Sequence, residues 1–168
     1  MSNIYLVGFM GTGKTETARL LAKQLKRAFV DMDESIVKSE KMPIARIFTT
    51  KGEPYFRKLE KDIIRTLSRK DNLVVACGGG SFVDPENIAT LKKSGTVICL
   101  TSSVEMILKR TGGSRVRPLL NVDVPKKRAE ELLSQRRPFY AQAHYTIDCD
   151  KLTVAETAQE VLKLLKVK

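Results

Sequence analysis

The stretch Gly8-Phe9-Met10-Gly11-Thr12-Gly13-Lys14-Thr15 constrains this chain more than any other. It directly follows an apolar run, Ile4-Tyr5-Leu6-Val7, and directly precedes a helical pattern. A Gly-rich turn of this form between a strand and a helix reads as a phosphate-binding loop. Its glycines let the backbone curl until successive N–H groups converge, and the following helix directs its positive end at the same spot. Lys14 is expected to reach the β- and γ-phosphates of ATP or GTP, and Thr15 to offer its hydroxyl to Mg²⁺. Gly8, Gly11, Thr12 and Gly13 shape the loop. Thr17 belongs to the nucleotide-binding set and also to the helix's inward side.

Behind the loop the chain alternates strand and helix, which predicts an α/β fold with a mostly parallel sheet. Strands are expected at 3–7, 28–30, 73–76, 97–100 and 145–147. Helices are expected at 14–26, 34–39, 44–50, 53–69, 85–93, 103–109, 125–141 and 153–165. Pro43 suits a first helical turn, Asp84 a helix cap, and Gly95 a helix stop. Residues 111–123 break the rhythm with Gly112, Gly113, two arginines and Pro118. A polar segment of this length inside a domain is expected to act as a closing lid.

The length of 168 residues suits one domain spanning 1–168, with no repeat or linker dividing it. No apolar run approaches the roughly 20 residues of a membrane span, and the N-terminus has no signal-peptide pattern. Cys77, Cys99 and Cys149 each lie in or beside apolar segments without metal-ligand spacing, so they read as buried thiols of a cytoplasmic protein. The net charge of +11 admits a nucleic-acid or membrane partner. The excess is spread along the chain, however, and there is neither a basic zipper helix nor an aromatic ladder. Small anionic ligands are the expected partners, with no nucleic acid and no membrane.

Several residues stand out for chemistry. Asp31 and Asp33 follow the second strand, where an α/β sheet opens its ligand crevice. One can serve Mg²⁺ through water and the other can orient a substrate hydroxyl and accept its proton. Equally, Asp33 can be a plain cap for the helix that begins at Glu34. Arg57 and Glu60, three apart on one helix face, form either a surface pair or a carboxylate clamp in which Glu60 fixes the fork of Arg57. Gly78-Gly79-Gly80 is either a tight turn or a bare backbone edge for a ligand. Arg110, Arg115, Arg117 and Arg136 supply cations, and a lid arginine can stabilise charge during phosphoryl transfer. His144 lacks partners at ligand spacing and reads as structural.

Taken together, Gly8 to Thr15, Asp31-Met32-Asp33, Phe48, Gly52-Glu53, Phe56-Arg57, Glu60, the Gly78–Gly80 triplet, Arg117-Pro118-Leu119-Leu120 and Arg136-Arg137-Pro138 with Tyr140 closely resemble the shikimate kinase family. The resemblance covers nearly the whole chain in order. It implies a P-loop kinase with a five-stranded parallel sheet flanked by helices, resembling nucleoside monophosphate kinases. The implied reaction moves the γ-phosphoryl of ATP to the 3-hydroxyl of shikimate, and the implied enzyme is a cytoplasmic monomer. A gluconate or nucleotide kinase is the alternative on the same fold. By the same resemblance Asp33 meets the ring hydroxyls, Asp31 lies near Mg²⁺, and Arg57 and Arg136 grip the substrate carboxylate. Gly78, Gly79 and Gly80 edge that pocket, Phe48 and Phe56 wall it, and residues 32–60 form the substrate-binding helical region. Arg117 reaches the phosphates and Arg110 stacks near adenine.

Overall fold

The computed structural model describes residues 2–112 and 125–166. Among these, five strands pair in parallel: β1 (Asn3–Val7), β2 (Ala28–Asp31), β3 (Leu73–Ala76), β4 (Gly95–Thr101) and β5 (Tyr145–Asp148), in the spatial order β2-β3-β1-β4-β5. β1 sits at the centre, with Ile4 opposite Val74 on one side and Thr96 on the other. A parallel strand in this position is covered on both faces, which is why β1, β3 and β4 read as continuous apolar runs rather than alternating ones.

The pleat sends successive side chains to opposite faces. Ile4, Leu6, Val74, Ala76, Ile98 and Leu100 pack against Ala18, Leu21 and Ala22 of α1 (Lys14–Leu25) and Ala158 and Val161 of α8 (Val154–Lys166). On the other face Tyr5, Val7, Val75, Val97 and Cys99 meet α4 (Glu53–Leu67), α5 (Pro85–Ser94), α6 (Val104–Thr111) and α7 (Pro125–Tyr140). A third, smaller cluster of Ile36, Ile47 and Phe56 joins α2 (Met32–Glu40) and α3 (Ile44–Lys51) to the start of α4. All three cysteines are buried and unbridged. His144 is structural: its Nδ1 accepts from the Val97 N–H at 2.9 Å. Among the described residues, no helix is long and apolar enough to cross a membrane.

The elements depart from the sequence expectation at their ends. β2 stays paired one residue further, with Asp31 opposite Ala76, so the helix behind it begins at Met32 rather than Glu34. α6 continues to Thr111 before Gly112 ends it in the left-handed region. Gly95 both stops α5 and opens β4, because its extended backbone already pairs with Asn3. A short 3₁₀ turn, Ser81–Val83, follows the glycine triplet. α7 carries Pro138 in its last turn without ending there, although the ring cannot donate to a preceding carbonyl.

Candidate active site

All elements that carry candidate residues deliver them to the C-terminal edge of the sheet, where open α/β sheets bind ligands. The loop between β1 and α1 is drawn in around the Phe9 carbonyl, which accepts from Lys14 Nζ at 2.8 Å and from the Thr12 hydroxyl at 2.9 Å. Gly13 caps α1 at φ 86°, a left-handed geometry that suits glycine. Gly11 lies against α6, and a β-carbon at Gly8 would strike the Leu100 carbonyl. A cleft of ≈ 230 Å³ opens in front of the loop, lined by Gly11, Gly13, Lys14, Thr15, Asp31, Asp33, Gly79 and Arg110. Glu16 and Cys77 line it as well; the sequence does not single out Glu16, and Cys77 reads there only as a buried thiol. Thr17 does not line it: its side chain is buried beneath the loop while its N–H bonds to the Gly13 carbonyl at 3.0 Å. Arg110 spans the cleft mouth, donating to the carbonyls of Gly11 at 3.4 Å and Cys149 at 3.0 Å.

The two aspartates hold different stations. Asp31 is the helix cap, its Oδ1 accepting from the Glu34 N–H at 3.1 Å and its Oδ2 from the Thr15 hydroxyl at 2.6 Å. Asp33 lies in the first turn of α2, so the cap reading of Asp33 is corrected: the strand extends and hands that duty to Asp31. Among the described residues no group of three or more His, Cys, Asp or Glu could enclose a metal ion. The Thr15–Asp31 pair instead suits a small hard cation that completes its shell with water and phosphate oxygens, as Mg²⁺ does.

Across the cleft the glycine triplet forms a floor without side chains, and four charged groups from three helices close on it. A β-carbon on Gly78 would sit 2.5 Å from Glu60 Oε1 and 3.2 Å from Asp33 Oδ1. One on Gly80 would press against the Arg57 guanidinium, and one on Gly79 would lie 3.6 Å from Arg136 Nη1. Arg57 Nη1 donates to Glu60 Oε2 at 2.7 Å, and Arg57 Nη2 to Glu53 Oε1 at 2.8 Å. The Arg57 guanidinium also lies 5.5 Å from the centre of the Phe56 ring, which in turn packs on Phe48 with 4.9 Å between centres. Arg136, only 7% exposed, lies over the Phe9 ring at 5.5 Å. Arg117 lies outside the described residues, as do Arg115 and nearly all of the expected lid.

Two buried atoms in this floor lack a protein partner among the described residues: Glu60 Oε1 and Arg136 Nη1. Buried polar atoms are rarely left so, and a ligand or water is the usual reason. The Arg136 atom calls for an anion, and the Glu60 atom for a hydroxyl or water proton.

Sequence spacing identifies the Arg57–Glu60 pair but not its lopsided electrostatics. Burial pushes the Glu60 carboxyl up to about 7, against the pull of Arg57 and with a further push from Asp33. Burial works against the Arg57 charge too, but Glu60 and Glu53 together outweigh it, so Arg57 stays charged. A carboxyl raised above its unfolded value holds its proton longer in the folded state. Its ionisation therefore removes stability as pH rises from about 4.5 to about 7. Glu60→Gln is expected to gain stability relative to wild type across that window and to show no further relative change above it. Thermal melts of both proteins from acid to slightly alkaline pH check this, and a constant gap between them would assign Glu60 an ordinary carboxyl.

The model of the family described as "Shikimate kinase" matches residues 10–166. The chain belongs to the shikimate kinase family. It is 44% identical over 163 residues to the shikimate kinase of Thermoanaerobacter pseudethanolicus, covering 97% of this chain and 95% of the relative. It is 46% identical to that of Caldanaerobacter subterraneus subsp. tengcongensis over 163 residues, with the same two coverages of 97% and 95%. The solved structure of Acinetobacter baumannii shikimate kinase in complex with shikimate superposes with a TM-score of 0.96 at 39% identity, covering 99% of this chain and 94% of that one. In this shikimate kinase-family chain, the P-loop kinase architecture and the five-stranded parallel sheet expected from the sequence are both present.

Proposed function

We propose that this chain transfers the γ-phosphoryl of ATP to the 3-hydroxyl of shikimate, giving shikimate 3-phosphate and ADP. The observation that carries the reading is the meeting of Asp33, Arg57, Glu60 and Arg136 on one bare glycine floor, of which Asp33 and Gly79 also line the cleft that holds Lys14. A carboxylate seated between Arg57 and Arg136 finds two planar forks, including Arg136 Nη1, which has no protein partner among the described residues. Phe48 and Phe56 back Arg57 and give the ring an apolar wall. With the carboxylate held there, a ring hydroxyl can turn to Asp33, which orients it and accepts its proton as the new P–O bond forms. Lys14 stabilises the charge that spreads over the transferring phosphoryl oxygens. Gly11, Gly13 and Arg110 border the nucleotide.

Thr15 and Asp31 would hold Mg²⁺, which when bound neutralises charge on the β- and γ-phosphate oxygens. Arg117, outside the described residues, is assigned to those phosphates by family resemblance, as is closure of residues 111–123 over the cleft. We read residues 1–168 as a single kinase domain, with residues 32–60 as its substrate region. The protein acts as a monomer in the cytoplasm, where its three buried thiols stay reduced.

Coupled ADP release tests the proposal with shikimate, gluconate and nucleoside monophosphates in parallel. Turnover with shikimate alone is the expected result, and preference for another acceptor would overturn it. Arg57→Lys and Arg136→Lys are each expected to weaken shikimate binding by about tenfold or more, because lysine keeps the charge but loses the planar fork. ATP binding should stay within about twofold on the same grounds. Calorimetry with both ligands checks this, and an equal loss for ATP would move the arginines into the nucleotide site.

A further inference from the structure

The floor of three glycines has no side chain to hold it in place, and glycine peptides turn over with little steric hindrance. One bond fixes the middle of it: the Tyr140 hydroxyl on α7 donates to the Gly79 carbonyl at 2.5 Å. Tyr140 is only 4% exposed and packs into the cluster on that face of the sheet, so its ring is fixed from behind. Burial pushes its phenol up to about 12, which keeps it a proton donor at neutral pH. It lies one helical turn beyond Arg136, whose charge is beside the phenol.

The peptide between Gly79 and Gly80 is trans. In a trans peptide the carbonyl and the following N–H point in opposite directions. A carbonyl held toward Tyr140 therefore turns the Gly80 N–H the other way. Gly80 itself lies against the Arg57 guanidinium. Among the described residues no protein group accepts a hydrogen bond from that N–H.

We propose that Tyr140 is a positioning residue for the acceptor substrate: by holding the Gly79 carbonyl it aims the Gly80 N–H into the carboxylate pocket between Arg57 and Arg136. α7 then contributes to the pocket twice, through the Arg136 charge and through the orientation of a backbone donor on a different element. This inference rests on the reading of that pocket as the shikimate site.

The test is Tyr140→Phe, which keeps the ring and removes the hydroxyl that meets both the Gly79 carbonyl and Arg136. Loss of the shikimate-dependent slowing of Gly80 amide exchange in the variant is therefore read beside the kinetics, and retained slowing would overturn the proposal. The KM for shikimate is expected to rise about tenfold or more, the scale of one hydrogen bond to a charged group. The kcat and the KM for ATP should stay within about twofold. A merely structural role would instead lower the melting temperature and shift both KM values together, and that result would overturn the proposal. So would an unchanged shikimate KM. Should the variant fail to fold, amide exchange on the wild-type protein decides the matter. Shikimate should slow exchange at Gly80, and unaltered exchange there overturns the inference. Absence of shikimate turnover by wild type overturns both this inference and the proposed function. Turnover by wild type with no effect of Tyr140→Phe overturns this inference alone.

Discussion

Lys14→Ala is expected to lower kcat by about two to three orders of magnitude while leaving the protein folded. The scale is that of removing one preorganised contact to transition-state charge from a site with little water. The fold should survive because losing the Lys14 bond to the Phe9 carbonyl leaves other bonds of the loop in place. Thr12 still bonds to the Phe9 carbonyl at 2.9 Å, and the Thr17 N–H still bonds to the Gly13 carbonyl at 3.0 Å. Coupled ADP release together with a thermal melt separates the two quantities. A folded variant with near-normal turnover would take this loop out of the chemistry.

The second large effect is expected from Asp33→Asn, with a loss in kcat of about two to four orders of magnitude. Asparagine has similar size and hydrogen-bonding reach but neither takes up the hydroxyl proton nor presents a negative charge to it. Stability should change little. The helix cap belongs to Asp31, so the substitution keeps the cap while forfeiting the attraction between a first-turn charge and the helix dipole, about 0.3–1 kcal/mol. Part of that is returned, because Asp33 is one of the charges that push the Glu60 carboxyl up. Should melting temperature and kcat fall together, Asp33 serves α2 rather than the reaction.

The contrast between Asp31 and Asp33 shows where the sequence is legible. From the sequence, Asp33 can be a cap because the helix is expected to begin at Glu34. The observed start comes from register: β2 stays paired with β3 as far as Asp31 and Ala76, a contact between residues far apart in the chain. The alternation of strand and helix is legible because each apolar run is short and each is punctuated by Gly, Pro or Asp. The arginine–glutamate pair on α4 is legible because three-residue spacing puts both on one helix face. The burial of Glu60 is not, because it depends on Gly78 arriving from β3 with no side chain. For the same reason the bond from Tyr140 to Gly79 leaves no local trace, since 61 positions separate them.

The glycine floor has a consequence for how this pocket can change by descent. At Gly78 a methyl group would press on the Glu60 carboxylate, and at Gly80 it would press against the Arg57 guanidinium. A side chain at either position therefore requires the Glu60 carboxylate or the Arg57 guanidinium to shift. Gly79 differs: the nearest atoms to an added methyl lie 3.4, 3.6 and 3.7 Å away, which is ordinary contact distance. The middle residue, whose carbonyl Tyr140 holds, is the one of the three where a methyl group meets no neighbour closer than ordinary contact. New acceptor preferences have to arise on α2, α4 and α7, the helices that bring side chains to a wall that has none.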